Sequence, residues 1–266
     1  MGILNVTPDS FSDGGNYTTP TKAVQRARQM LEEGADYIDI GGESTRPGSE
    51  NVTEDEELKR VIPVINAIRN QLGREVRLSI DTWKAKVADE ALRAGANTIN
   101  ALGGFSFDEE LAVVAANHRC MIIVYHIKGK PKTMQQGEIT YYDICREIEN
   151  FFEQQISFGE KHGINRDQFI LDPGIGFGKT VEQNIEIIKN FATFKKFNLP
   201  LLIGVSRKSH LGMILKDELA IETTPTERIE ASLAESAIAV QNGATIVRTH
   251  DIIQTKKFLA VLEKLL

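Results

Sequence analysis

Polar side chains close a succession of short apolar runs along the chain: Asn5, Asp39, Asp81, Asn100, His126, Asp172, the Ser206-Arg207-Lys208 group, and Arg248 with His250. A single Asp or Asn in such a place is usually a helix cap or a turn residue. A whole series of them exceeds what capping explains and points to a shared polar site. Arg248 and His250 stand two apart, so on a strand they share one face and can grip one anion. The net charge is −6, so an anionic ligand needs a local positive pocket of this kind. The same balance argues against nonspecific binding of nucleic acid, which requires a broad basic face.

The stretch LDPGIGFGKT, Leu171 to Thr180, resembles a phosphate cradle at first sight. The nucleotide loop G-x-x-x-x-G-K-[ST] would need a glycine where Pro173 stands. Proline has no N–H to donate, so a cradle of amides cannot begin there. The glycines serve close backbone approach instead, and Lys179 is expected to be a solvated loop lysine.

Those polar ends need elements to carry them. Short β-branched runs alternate with longer amphipathic stretches, as in parallel strands joined by crossover helices. Eight strands are predicted, at Gly2–Asn5, Tyr37–Ile40, Arg77–Asp81, Thr98–Asn100, Met121–His126, Phe169–Asp172, Leu201–Val205 and Ile246–His250, each ahead of a helical stretch. The second helix is the clearest: Thr53 and Glu56 form a capping box, Leu58, Val61, Ile62, Ile65 and Ile68 make one apolar stripe, and Gly73 ends it. An internal echo, GADYID at Gly34, GANTIN at Gly95 and GATIVR at Gly243, reads each time as helix stop followed by buried strand. It places Asp39, Asn100 and Arg248 at equivalent strand ends.

No linker rich in Pro, Gly or Ser interrupts the series. The 266 residues are therefore expected to form an α/β fold, one closed (β/α)8 TIM barrel in a single domain spanning residues 1–266, with its active site on the C-terminal rim. Hydrophobic residues at 41% are enough for a core of that size, and no run is long and apolar enough to be read as a membrane span. Cys120 and Cys145 lack metal-ligand spacing and make no disulfide framework. With an opening MGILNVTPDS that shows neither a charged leader nor an apolar h-region, they predict a cytoplasmic location.

NVTPDSFSDGG, IDIGGESTRPG, SIDT, LDPGIGFGK, SRKS and RTH occur in this order over almost the whole chain. In these motifs the sequence resembles the dihydropteroate synthase family of folate biosynthesis. The resemblance implies a transferase on a TIM barrel that condenses 6-hydroxymethyl-7,8-dihydropterin diphosphate with 4-aminobenzoate, releasing pyrophosphate. It implies a pterin site at Asp81, Asn100, Asp172 and Lys208, since a carboxylate and an amide in a dry pocket can discriminate an amino-pyrimidinone edge. Phe11, Thr45, Pro47, Phe177, Lys208 and Ser209 are implied for 4-aminobenzoate, the face that sulfonamides imitate. Arg46, Arg248 and His250 are implied for the diphosphate, and Asn5 for a magnesium ion on that diphosphate. Asp81, Asp172, Lys208 and Arg248 would carry the catalysis, without a covalent nucleophile. The loops TPDSFSDGG and GESTRPG would order over the substrates and exclude water.

The resemblance also implies a homodimer. Three features depart from the family pattern: Ala101 stands where an Asp usually follows Asn100, Tyr125 stands where methionine is common, and the chain starts inside the first motif. The last is expected to reflect trimming, a chosen start codon, or separation from a fused upstream folate-pathway enzyme. Two rival functions are a methyltetrahydrofolate methyltransferase and a noncatalytic pterin-binding paralogue. The first has no need of the ESTRPG, SRKS and RTH groups, and the second is lent support by Ala101. Replacing Phe11 by Ala is expected to raise the Michaelis constant for 4-aminobenzoate more than that for the pterin substrate in steady-state assays. Equal rises would contradict the assignment.

Overall fold

The computed structural model describes residues 1–7, 20–45, 48–49 and 51–266. Phe11, Arg46 and Pro47 lie outside the described residues, as does most of the first of the two expected lid loops. The chain alternates β1 (Gly2–Asn5), α1 (Pro20–Glu32), β2 (Tyr37–Gly41), α2 (Glu54–Leu72), β3 (Arg77–Asp81), α3 (Ala85–Ala94), β4 (Thr98–Leu102), α4 (Glu110–His118), β5 (Met121–Tyr125) and α5 (Ile144–Lys161). It continues with β6 (Phe169–Asp172), α6 (Val181–Lys189), β7 (Leu202–Ile203), α7 (Ser209–Leu219), α8 (Ile229–Gln241), β8 (Ile246–Val247) and α9 (Ile252–Leu265).

Strands β1 to β6 pair in sequence order, all parallel, and β7 pairs with β8. Two bridges join these parts into a closed ring, Leu171 with Leu201 and Gly2 with Thr249. The backbone bonds there are Leu171 N to Pro200 O at 3.0 Å and Ile3 N to Thr249 O at 3.1 Å. The last two strands are shorter than predicted. Arg248 N donates to Ile203 O and Thr249 N to Met1 O, the alternation by which one strand pairs with a neighbour on each side, so β8 bonds to both β7 and β1.

Inside the ring, Met1, Ile123, Ile170 and Leu202 pack with Tyr37, Met121 and Ile246, and a larger apolar cluster fills the layer between strands and helices. Above the inner plug the register becomes polar. Asn5 lies beside Gly41, Gly41 beside Asp81, Asp81 beside Asn100, and Tyr125 beside Asp172. Because side chains alternate across a strand, register partners share a face, and the polar ends meet at one mouth. Ala101 points the other way and is buried in the apolar layer.

The three echoed glycines, Gly34, Gly95 and Gly243, all have positive φ, at 96°, 118° and 112°. This left-handed turn, cheap for glycine, stops each helix and starts the strand in the same way. In α2 the predicted cap is half realised: Thr53 Oγ1 accepts from Glu56 N at 3.3 Å, while the Glu56 carboxylate accepts from Arg60 Nε at 3.1 Å rather than turning back to Thr53. An arginine one turn on competes successfully for that carboxylate.

The loop after β2 is tied down by charge. Lys84 Nζ, at the start of α3, donates to Glu43 Oε2 at 2.7 Å and to Glu57 Oε2 at 2.5 Å, and Trp83 Nε1 donates to the same Glu43 oxygen at 3.2 Å. Glu57 is fully buried, and burial, opposed by Lys84, raises its pKa. Lys84→Met would leave Glu57 as a buried carboxylate without its cation, and is expected to destabilise the fold by about 3–5 kcal/mol in urea unfolding. Adding Glu57→Gln should return part of that loss.

Candidate active site

A cavity of about 440 Å³ opens at the C-terminal ends of the strands. Of the residues singled out by the sequence, Asn5, Thr45, Asp81, Phe177, Lys208, Ser209, Arg248 and His250 line it. Asn100 and Asp172 do not reach the cavity surface; both are buried just below it.

The floor is a connected set of ionic hydrogen bonds. Arg248 donates from Nε to Asp39 Oδ2 at 2.7 Å and from its terminal nitrogen to Asp81 Oδ2 at 2.8 Å. Asn100 Nδ2 donates to the same Asp39 oxygen at 3.0 Å, and the Tyr125 hydroxyl donates to Asp81 Oδ1 at 3.0 Å. The echoed strand ends therefore meet on one carboxylate. Asp39 is the functional candidate that the reading of strand ends noticed but left out of the site. The signal was available in the echo, which made Asp39, Asn100 and Arg248 equivalent positions of repeated units. The amide of Asn100 is steadied by Asp39, a role for which a carboxylate at position 101 is not needed.

Burial sets the charges. It pushes Asp81 up to about 7, against the pull of Arg248 and with added repulsion from Asp39. Burial lowers the affinity of Arg248 for its proton, yet Asp39 and Asp81 more than reverse this and hold the guanidinium firmly charged. Asp172 is also raised by burial, opposed by the backbone N–H of Gly174, which donates to its Oδ1 at 2.7 Å, and by Lys208. Lys208 is brought down to about 8 by burial, with Asp172 opposing and Arg248 adding to the shift.

Lys208 stands just before α7, where its ammonium donates to Ile175 O and lies 4.3 Å from the centre of the Phe177 ring. Cation and ring attract one another in this arrangement. His250, next to the seam, shares a 3.0 Å hydrogen bond between its Nδ1 and Ser206 Oγ. Arg248 and His250 do face one cavity, although the Arg248 guanidinium turns toward the carboxylates of the floor.

The glycine-rich loop after β6 lies over the site through Gly176 and Phe177. At Gly174, with φ 69°, a Cβ would collide with the carbonyl of His126, so only glycine fits. The expectation for Lys179 is overturned. Far from being solvated, it is 3% exposed, and its Nζ is bonded to His126 Nδ1 at 2.9 Å, Gly174 O at 2.9 Å and Phe177 O at 3.1 Å. Three acceptors replace the water a lysine normally keeps, which is what makes burial tolerable. Burial, and after it Lys179, holds His126 well below the usual histidine range, leaving its nitrogen able to accept.

Asn5 offers an amide oxygen at the cavity wall, with Gly41 beside it; a Cβ on Gly41 would stand 3.3 Å from Asn5 Oδ1. Among the described residues no group of three or more His, Cys, Asp or Glu could hold a metal ion. One hard oxygen at the cavity wall fits an ion that keeps most of its water, as magnesium does.

The sequence profile of the pterin binding enzyme family matches residues 1–250. A dihydropteroate synthase of Synechocystis sp. is 46% identical over 252 residues, covering 95% of this chain and 84% of that protein. The dihydropteroate synthase of Escherichia coli is 44% identical over 263 residues, covering 99% and 90%. The chain belongs to the pterin binding enzyme family. A Yersinia pestis dihydropteroate synthase, solved with a sulfonamide drug complex, superimposes with a TM-score of 0.93 at 41% identity, covering 100% of this chain and 93% of that one. The cavity thus sits at the strand ends of a barrel that this family uses for pterin chemistry.

In carboxyl-carbon NMR, Asp81 of this family member is expected to titrate at about 7. Arg248→Met removes the cation that favours the anion and should move the midpoint higher. A midpoint in the ordinary aspartate range would contradict the burial described above.

Proposed function

We infer that the chain is a transferase of folate biosynthesis with dihydropteroate synthase activity, joining 6-hydroxymethyl-7,8-dihydropterin diphosphate to 4-aminobenzoate. The observation that carries the reading is one cavity with three chemistries side by side: buried carboxylates and an amide below, Lys208, Arg248 and His250 among its lining, and an aromatic wall at Phe177. A pterin, a diphosphate and an aminobenzoate ask for those three in turn.

On this reading Asp81, Asn100 and Asp172, with Lys208, take the pterin. Its amino-pyrimidinone edge presents donors that carboxylates accept, and a dry floor penalises any ring that leaves them unpaired. Arg248 and His250, with Arg46, take the diphosphate. Phe177, Thr45 and Ser209, with Phe11 and Pro47, take the flat aromatic amine beside Lys208, and sulfonamides would compete there. Asn5 would hold magnesium, which when bound neutralises charge on the departing diphosphate.

The reaction breaks the bond from the pterin methylene carbon to the diphosphate oxygen, whose electron pair leaves with pyrophosphate. The amine lone pair then forms the carbon–nitrogen bond, and the ammonium so formed loses a proton. Positive charge left on the methylene is shared by the electron-rich pterin. The protein's work is to stabilise that charge and the leaving anion by groups already in place, and to keep water away. On this reading Asp81 and Asp172 would offset positive charge on the ring, and Arg248 and His250 negative charge on the leaving anion.

We further propose a cytoplasmic homodimer. Free Cys120 and Cys145 suit a reducing compartment, and no helix of the described residues is long and apolar enough to cross a membrane. Exposed Met213, Leu219 and Ile221 at α7 and Ile238 on α8 give apolar surface away from the cavity for a second copy.

Pyrophosphate release measured with pterin diphosphate and magnesium should depend on 4-aminobenzoate. Asp172→Asn should lower kcat/KM for the pterin substrate by about a hundredfold, the worth of hydrogen bonds to a charged group. Tight pterin binding without release by the unaltered protein would favour the noncatalytic reading.

A further inference from the structure

Tyr125 ends β5 inside the barrel mouth, next to Asp172 of β6 and Leu102 of β4 in register. It is 4% exposed, and a phenol so deeply buried needs a partner for its hydroxyl. It finds one two strands away, reaching past β4 to Asp81 Oδ1 on β3 at 3.0 Å. Its ring meets Phe177 at 5.3 Å between centres, tilted by 59°. One side chain therefore touches both a carboxylate of the floor and the aromatic wall, and it belongs to neither group of residues assigned to a substrate.

Both contacts constrain their partners. With Arg248 on Oδ2 and Tyr125 on Oδ1, the Asp81 carboxylate is held by a donor on each oxygen, so its plane is set before any ligand arrives. A carboxylate has about four acceptor positions, so each oxygen can still accept from a ligand. Burial first, then Asp81, raises the phenol well above its ordinary pKa, so Tyr125 stays a neutral donor. Phe177 in turn has Lys208 Nζ at 4.3 Å and the Tyr125 ring at 5.3 Å as neighbours.

We propose that Tyr125 is a positioning residue that couples the two subsites, its hydroxyl setting Asp81 for the pterin and its ring setting Phe177 for the aromatic amine. This rests on the assignment of Asp81 and Phe177 to the two substrates. Tyr125 joins them without touching the reacting atoms.

Two substitutions separate the halves. Tyr125→Phe keeps the ring and removes only the hydroxyl. It should raise KM for the pterin diphosphate about tenfold, the effect of one hydrogen bond to a charged group, and leave KM for 4-aminobenzoate within about twofold. Tyr125→Met removes the ring as well and should raise both constants. Binding of the pterin diphosphate, measured calorimetrically in an Asp81→Asn background, should no longer respond to Tyr125→Phe, because the residue acts through that carboxylate.

Unchanged pterin KM in Tyr125→Phe would overturn the proposal. So would equal rises in both constants for that variant, or a full effect of Tyr125→Phe in the Asp81→Asn background, each the mark of a general packing defect. Should Tyr125→Met fail to fold, Phe177→Leu replaces it, and must raise the 4-aminobenzoate constant alone. The unaltered protein run in parallel keeps the two readings apart: loss of its amine-dependent pyrophosphate release defeats the activity itself, while a normal release with unresponsive variants defeats only the role of Tyr125.

Discussion

Asp39 holds a carboxylate at the centre of the barrel mouth with no exposure to solvent, and the remaining site is arranged around that charge. A buried anion without a cation would cost several kcal/mol or take up a proton. Arg248 supplies the cation, and because its fork has two usable ends it carries the ionic contact on to Asp81. From Asp81 the contact passes to Tyr125, from there to Phe177, and from Phe177 to Lys208. Such pairs rarely add much net stability, since desolvation consumes their attraction. Their effect is geometric: each carboxylate and cation of the mouth is held in a set orientation by its partners, the kind of preorganisation that spares a polar site from rearranging.

Much of this arrangement was legible in the chain. Short β-branched runs ending in polar residues located all eight strands, and β1, β3 and β6 have the predicted bounds. The long α2 could be read from its apolar stripe, its Thr53 start and its Gly73 stop. The echo of Gly-Ala followed by a strand was sound down to the backbone, since all three glycines have the same left-handed turn. The extent of the last two strands was less legible. Leu202–Ile203 and Ile246–Val247 are the regular parts of runs expected at Leu201–Val205 and Ile246–His250, and where regular pairing stops leaves no mark in local composition.

Side-chain partners were the hardest to foresee. Lysine is usually exposed, and nothing near Lys179 in sequence announces that His126, just past β5, will turn its ring nitrogen toward it. The acceptors Gly174 O and Phe177 O come from the loop's own curvature, which exists only once the glycines have taken positive φ. Asp39 was seen as a strand end equivalent to Asn100 and Arg248, but the echo shows equivalent positions and not which of them bond to one another. Its importance comes from Arg248, 209 residues away.

That separation bears on how the protein comes into being. Asp39 is made early in synthesis and Arg248 almost last, so a nascent chain carries the acidic half of the mouth through nearly all of translation without its counter-ion. Contacts of such long range form late because closing a large loop costs entropy before any bond repays it. Until the eighth strand docks against the first, the growing barrel lacks both its closed ring and the cation that Asp39 and Asp81 share. Shutting the ring and neutralising the acidic mouth are one step, and a chain released short of its last strand would keep two carboxylates facing each other without their counter-ion.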